Sequence, residues 1–114
     1  MLLRQVPLMP RDIPFQERKP KKRIEDDEAR RAVTLARFPP PTAVAAPFRE
    51  GYRECIGLYA LHAPDKRTVA RILQDHMLLL EDACLRDRMS RDALAAYEGY
   101  RQAMKDLRAA RCIR

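Results

Sequence analysis

The chain has 114 residues, 46% of them hydrophobic and 34% charged, and a net charge of +7 at neutral pH. That length suits one domain and is too short for two. No run approaches the roughly 20 uninterrupted apolar residues of a membrane-spanning helix, which argues against a transmembrane segment. The three cysteines, Cys55, Cys84 and Cys112, show neither CxxC nor CX9C spacing, which argues against a disulfide framework and for a reducing compartment.

Prolines and charge divide the chain in the same place. Eight of the nine prolines fall in the first 47 residues, and only Pro64 lies beyond. Residues 1–24 carry seven basic and two acidic groups, whereas the remainder carries sixteen and fourteen. Residues 1–24 therefore read as an extended basic arm with polyproline-like pieces at Pro7, Pro10, Pro14 and Pro20. The opening "MLLRQVPLM" has no acid before Asp12, as in a mitochondrial targeting segment, although its prolines interrupt the amphipathic helix of such a segment.

Within the arm, "RKPKKR" gathers Arg18, Lys19, Lys21, Lys22 and Arg23. Such a run can be a solvated charge cluster or a nuclear-targeting signal. It can also contact RNA phosphates without reading sequence, or meet anionic lipid headgroups at ~1 kcal/mol per basic residue. Phe15 and Phe38 lie too far off to interleave as stacking platforms, which argues against specific single-strand recognition. A basic tail on a nearly neutral domain predicts an arm reaching for an acidic surface. Eighteen arginines against five lysines fit bidentate partners such as carboxylate or phosphate.

Next, residues 25–46 read as a short helix and a proline-rich linker. Glu25, Asp26, Asp27 and Glu28 precede Arg30, Arg31 and Arg37, the order that complements a helix dipole. Ala32, Leu35 and Ala36 make a thin apolar stripe, and Pro39–Pro41 end the helix at about residue 37.

Residues 47–114 read as a three-helix domain. Phe48, Tyr52, Cys55, Ile56 and Tyr59 mark one face of a helix from Pro47 to about His62. Gly51 and Gly57 cost it roughly 1 kcal/mol each unless a neighbour packs closely against them. After the turn "HAPD", Asp65 caps a second helix with Val69, Ile72, Leu73, His76, Met77, Leu80, Ala83 and Cys84 on one side. Leu78, Leu79 and Leu85 lie off that stripe and are the predicted protein-docking residues. Ser90 caps a third helix whose inner face is Ala93, Leu94, Tyr97, Tyr100, Met104 and Leu107.

The expected fold is thus all-α, a small three-helix bundle preceded by an extended basic arm and a short helix. Its interior looks too small for stability without a partner.

No catalytic constellation emerges. His62 ends a helix, where it can interact with terminal carbonyls, and His76 reads as a packed histidine. Cys55 and Cys84 read as small hydrophobes. There is no glycine-rich phosphate loop, GxSxG or HExxH motif, and no catalytic, cofactor or metal residue is assigned.

In "GLYALHAP" (57–64), Leu58–Tyr59 resembles the start of the signature of the Leu-Tyr-Arg proteins, small three-helix mitochondrial accessory and assembly subunits. Ala60 stands where that family has its defining arginine, so no functional residue is carried over.

The expected function is a non-catalytic accessory subunit of a large mitochondrial assembly. Within that class the leading expectation is a peripheral subunit of a respiratory-chain complex or ATP synthase, in the matrix or on the matrix-facing side of the inner membrane. Its partners would be other protein subunits. The alternatives are a mitochondrial ribosomal protein whose arm contacts rRNA, and a free-standing helical adaptor.

Overall fold

Pro20 and the Pro39–Pro41 run bracket the first helix, α1, which spans Lys21–Arg37 in a computed structural model that describes residues 21–86 and 90–114. It begins four residues before the expected start at 25. Lys21, Lys22 and Arg23 are good helix formers. The acidic cluster had suggested a later start because acids favour the first turn, yet no acid stands in it. At the other end Phe38 N–H still donates to the Thr34 carbonyl at 3.0 Å. The three prolines then stop the ladder.

The other helices are α2 (Ala46–His62), α3 (Val69–Arg86) and α4 (Arg91–Ala109), and the described residues contain no strand. Pro47 sits in the first turn of α2. The Ser90 hydroxyl caps α4 by accepting from the Ala93 N–H at 3.2 Å, as its position predicted. Asp65 acts one step earlier than expected. Its carboxylate accepts from Arg67 N–H at 3.2 Å, and its carbonyl accepts from Val69 N–H at 3.1 Å. A turn over 65–68 thus leads into α3.

The closest crossing in the fold joins α2 to α4. A Cβ on Gly51 would lie 2.0 Å from the Ala96 carbonyl oxygen, and one on Gly99 would lie 2.0 Å from the Phe48 carbonyl oxygen. Each glycine admits the other helix's backbone, so the propensity cost at Gly51 is offset by packing. Around this crossing Tyr52, Cys55 and Ile56 of α2 meet Tyr100, Ala103, Met104 and Leu107 of α4, all buried. α3 adds Leu73 and Val69 to the same core.

α1 is not a detached leader to the later helices. It packs on α2, and Phe38, just beyond its end, enters the core with 9% of its surface exposed. The expected Ala32–Ala36 stripe is solvent-facing; only Leu35 of that set packs against the core. Polar bonds fix α1 instead. Arg30 donates through Nε to the Ala60 carbonyl at 2.6 Å and also pairs with Asp27 at 2.6 Å. It thereby satisfies a carbonyl at the end of α2 that no helix turn follows.

The C-terminal segment turns back onto the core. Arg111 adopts φ 61°, Cys112 N–H donates to Leu107 O at 2.8 Å, and Arg111 N–H donates to Arg108 O at 2.9 Å. These two bonds and the left-handed residue define a Schellman stop. Ile113 follows, 8% exposed.

Candidate interaction surfaces

Four chain segments meet at one end of the fold: the last turn of α2, the 63–68 turn, the first turn of α3, and the residues after α4. Between them runs a groove of about 780 Å³. Tyr59, Val69, Ala70, Cys112 and Ile113 line its apolar part, and Lys66, Arg67, Arg108, Arg111 and Arg114 supply five cations. No aspartate or glutamate lines it. All five cationic residues are exposed.

Local geometry explains why the charges converge. The Asp65-capped turn carries Lys66 and Arg67 at the start of α3, and the Schellman stop swings Arg111 and Arg114 back toward them. Arg108 donates from Nε to the Arg114 main-chain oxygen at 3.1 Å. Burial pushes the Tyr59 hydroxyl above its ordinary pKa, reinforced by its hydrogen bond with Cys112 and opposed by Arg37 nearby.

Cations at a helix C-terminus often do no more than complement its dipole, which accounts for Arg108 and Arg111 at the end of α4. Lys66 and Arg67 have the opposite placement. They precede the N-terminus of α3, whose first turn carries no acid, so their charge adds to the positive end of the dipole.

A second surface lies farther along α3. Leu78, Leu79 and Leu85 are 49%, 62% and 66% exposed. The opposite side of the helix buries Leu73 and Cys84, and Cys84 Sγ donates to the Ala93 carbonyl at 3.2 Å.

The predicted basic cluster is only partly in view. Arg18 and Lys19 lie outside the described residues. Lys21 and Lys22 belong to the backbone of α1, and their side chains also lie outside the description. Arg23 is exposed and shares a hollow with Asp26, Asp27, Arg30 and Asp65. It does not line the basic groove.

Buried polar groups serve packing. The Tyr52 hydroxyl donates to the Asp106 carboxylate, which also accepts from Gln102 Nε2 at 3.0 Å. The fully buried Tyr100 donates to the Leu73 carbonyl at 2.9 Å, tying α4 to α3. Burial pushes the Cys55 thiol up to about 12, away from thiolate chemistry. His76 Nε2 stands 3.3 Å from Glu54 Oε1, within ion-pair range but without hydrogen-bond geometry. Its ring lies 5.3 Å from that of Tyr100.

Among the described residues no three His, Cys, Asp or Glu side chains are grouped to hold a metal, and no helix is long and apolar enough to cross a membrane. The sequence reading missed the basic groove. Its signals were the "KR" pair at 66–67 and the three-residue spacing of Arg108, Arg111 and Arg114, which say nothing by themselves about convergence. Comparison with protein-family models, with curated proteins and with solved structures finds no match for this chain.

Proposed function

We propose that this chain is a non-catalytic accessory subunit, held in a larger assembly through the leucine face of α3. The observation that carries this reading is the exposure of Leu78, Leu79 and Leu85 on one helix. Scattered exposed leucines are ordinary, whereas a cluster of three marks an interaction site. The reading is supported further by the use of the buried Tyr52 and Tyr100 hydroxyls and the Cys84 thiol in internal bonds. In this proposal α2–α4 form the stable three-helix unit, α1 is a strap over α2, and the basic arm runs onto an acidic neighbour.

The assembly we favour is mitochondrial, with the chain a peripheral subunit of a respiratory-chain complex or ATP synthase on the matrix side. The charge of the arm favours a second reading, a mitochondrial ribosomal protein with Arg18, Lys19 and their neighbours on rRNA. Leu79→Asp tests the dock, because it places a charge in the apolar contact while leaving the buried side of α3 unchanged. The expected result is loss of co-migration with the native assembly on a sizing column, with helicity retained. Normal incorporation of Leu79→Asp rejects the leucine face. Fractionation checks the compartment. Nuclease separates the two hosts, since it dismantles an rRNA attachment and leaves a dock on protein intact.

A further inference from the structure

We propose that the basic groove between the 63–68 turn and the C-terminal segment is a binding site for an acidic, amphipathic peptide segment of a partner protein. Arg108 is engaged by the Arg114 main-chain oxygen, but no ion pair joins the other four cations, Lys66, Arg67, Arg111 and Arg114, to an acid among the described residues. Helix dipoles do not account for Lys66 and Arg67, which stand at the end where an acid would be favoured. Arg111 complements the dipole of α4, yet it occupies a left-handed position that glycine fills more comfortably. An anionic occupant accounts for Lys66 and Arg67, which the dipoles leave unexplained, and for their convergence with Arg111 and Arg114 on one groove.

The apolar lining narrows the class. Arginine-rich rims suit planar carboxylates, and the half-buried Ala70 and Cys112 offer apolar surface for side chains between those carboxylates. A single-stranded nucleic acid needs stacking platforms, and the one aromatic residue in the groove, Tyr59, is half-buried with its hydroxyl engaged by Cys112. A lipid surface needs large apolar side chains to insert. None of the large exposed hydrophobic residues lines this groove. Its volume of about 780 Å³ suits a short peptide stretch.

The test uses the full chain and a fluorescein-labelled peptide of repeated Glu-Glu-Leu triplets, followed by anisotropy. The Gln-Gln-Leu peptide, an oligouridylate of equal charge and phosphatidylserine vesicles are the comparison probes. Saturable binding of the glutamate peptide is expected, with the glutamine peptide at least about tenfold weaker. The double variant Lys66→Glu/Arg67→Glu should weaken binding by about tenfold or more, and Arg111→Glu should weaken it too. Leu79→Asp should leave it unchanged, which separates this groove from the leucine face. These side chains are exposed, and circular dichroism checks that each variant remains folded. The proposal is overturned if the glutamate peptide does not bind or if charge reversal leaves its affinity intact. It is also overturned if oligouridylate or vesicles bind more tightly than the peptide in a Lys66- and Arg67-dependent way.

Discussion

Replacing Gly99 with alanine should destabilise the protein, although alanine is the better helix former. The new Cβ would lie 2.0 Å from the Phe48 carbonyl oxygen, where ordinary contact begins at 3.4 Å. The obstacle is backbone, so α2 and α4 must move apart by more than an ångström, loosening the contacts around Tyr52, Cys55 and Tyr100. Overpacking costs about 1–3 kcal/mol where side chains can adjust, and a rigid carbonyl puts this site at or above the top of that range. Helix propensity returns about 1 kcal/mol, leaving a net loss of roughly 2 kcal/mol. With a urea slope of about 1–2 kcal/mol per molar, the midpoint should fall by roughly 1–2 M.

Gly57→Ala is the matched control. Its Cβ would meet only the Arg31 side chain, at 3.3 Å, and that chain can swing aside. It should raise stability by about 0.5–1 kcal/mol. Gly51→Ala combined with Gly99→Ala should cost less than the sum of the two, since one separation of the helices relieves both clashes. Urea unfolding followed by helical circular dichroism measures the parent, the three single variants and the double variant. A Gly99→Ala midpoint equal to or above the parent's would refute the close crossing.

Two further predictions concern the ends of the fold and its tyrosines. Arg111→Gly should stabilise the protein by a few tenths to about 1 kcal/mol, the left-handed strain relieved less the added freedom of the unfolded chain. Thermal melts would detect it, and a lower midpoint would contradict the Schellman stop. In alkali, burial first and then the Asp106 hydrogen bond raise Tyr52 well above its ordinary value of 10. Burial, followed by nearby Cys55 and Glu54, does the same to Tyr100, and burial, with Glu54 adding to it, lifts Cys55 from 9.0 to about 12. The fold holds all three groups neutral, so their contribution is complete below pH 9 and erodes as pH climbs through 9 to 10 and beyond. Tyrosinate absorbance for these side chains should emerge together with loss of helicity. Ionisation of all four tyrosines at pH 10 with the helices intact would show that Tyr52 and Tyr100 are not buried as described.

Helical periodicity carried most of the fold into the sequence. Tyr52, Cys55 and Ile56 repeat at spacings that one buried face requires, and Ser90 stands where α4 needs a cap. The reading failed where tertiary contact overrode local preference. α1 looked like a weak helix with an alanine stripe, but what fixes it is Arg30 reaching the Ala60 carbonyl, thirty residues away, which no periodicity encodes. Gly51 could be marked as costly unless something packed against it; that its neighbour is Ala96 of α4 depends on the crossing. The basic groove was hidden for the same reason. Lys66 and Arg111 are far apart in the chain, and the Schellman turn that brings Arg111 back carries an arginine where glycine would have signalled it.

The inward packing of Phe38 and Leu35 alters the case for a partner. The sequence suggested an interior too small to stand without help, whereas the end of α1 and Ile113 enlarge it from both sides of the bundle. The need for a neighbour then rests on surface left outside. Covering the remaining exposed parts of Leu78, Leu79 and Leu85 is worth about 1–2 kcal/mol each, roughly 3–6 kcal/mol together. Association alone costs an estimated 4–15 kcal/mol, so the leucine face by itself supports only a fleeting contact. The groove begins at Val69 on the same helix, about 14–24 Å from the leucines at 1.5 Å per residue. A partner presenting an apolar patch and an acidic segment at that spacing engages both, and the second contact forms at high effective concentration. Under the two proposals, stable incorporation depends on both surfaces acting together, with each adding affinity that the other makes accessible.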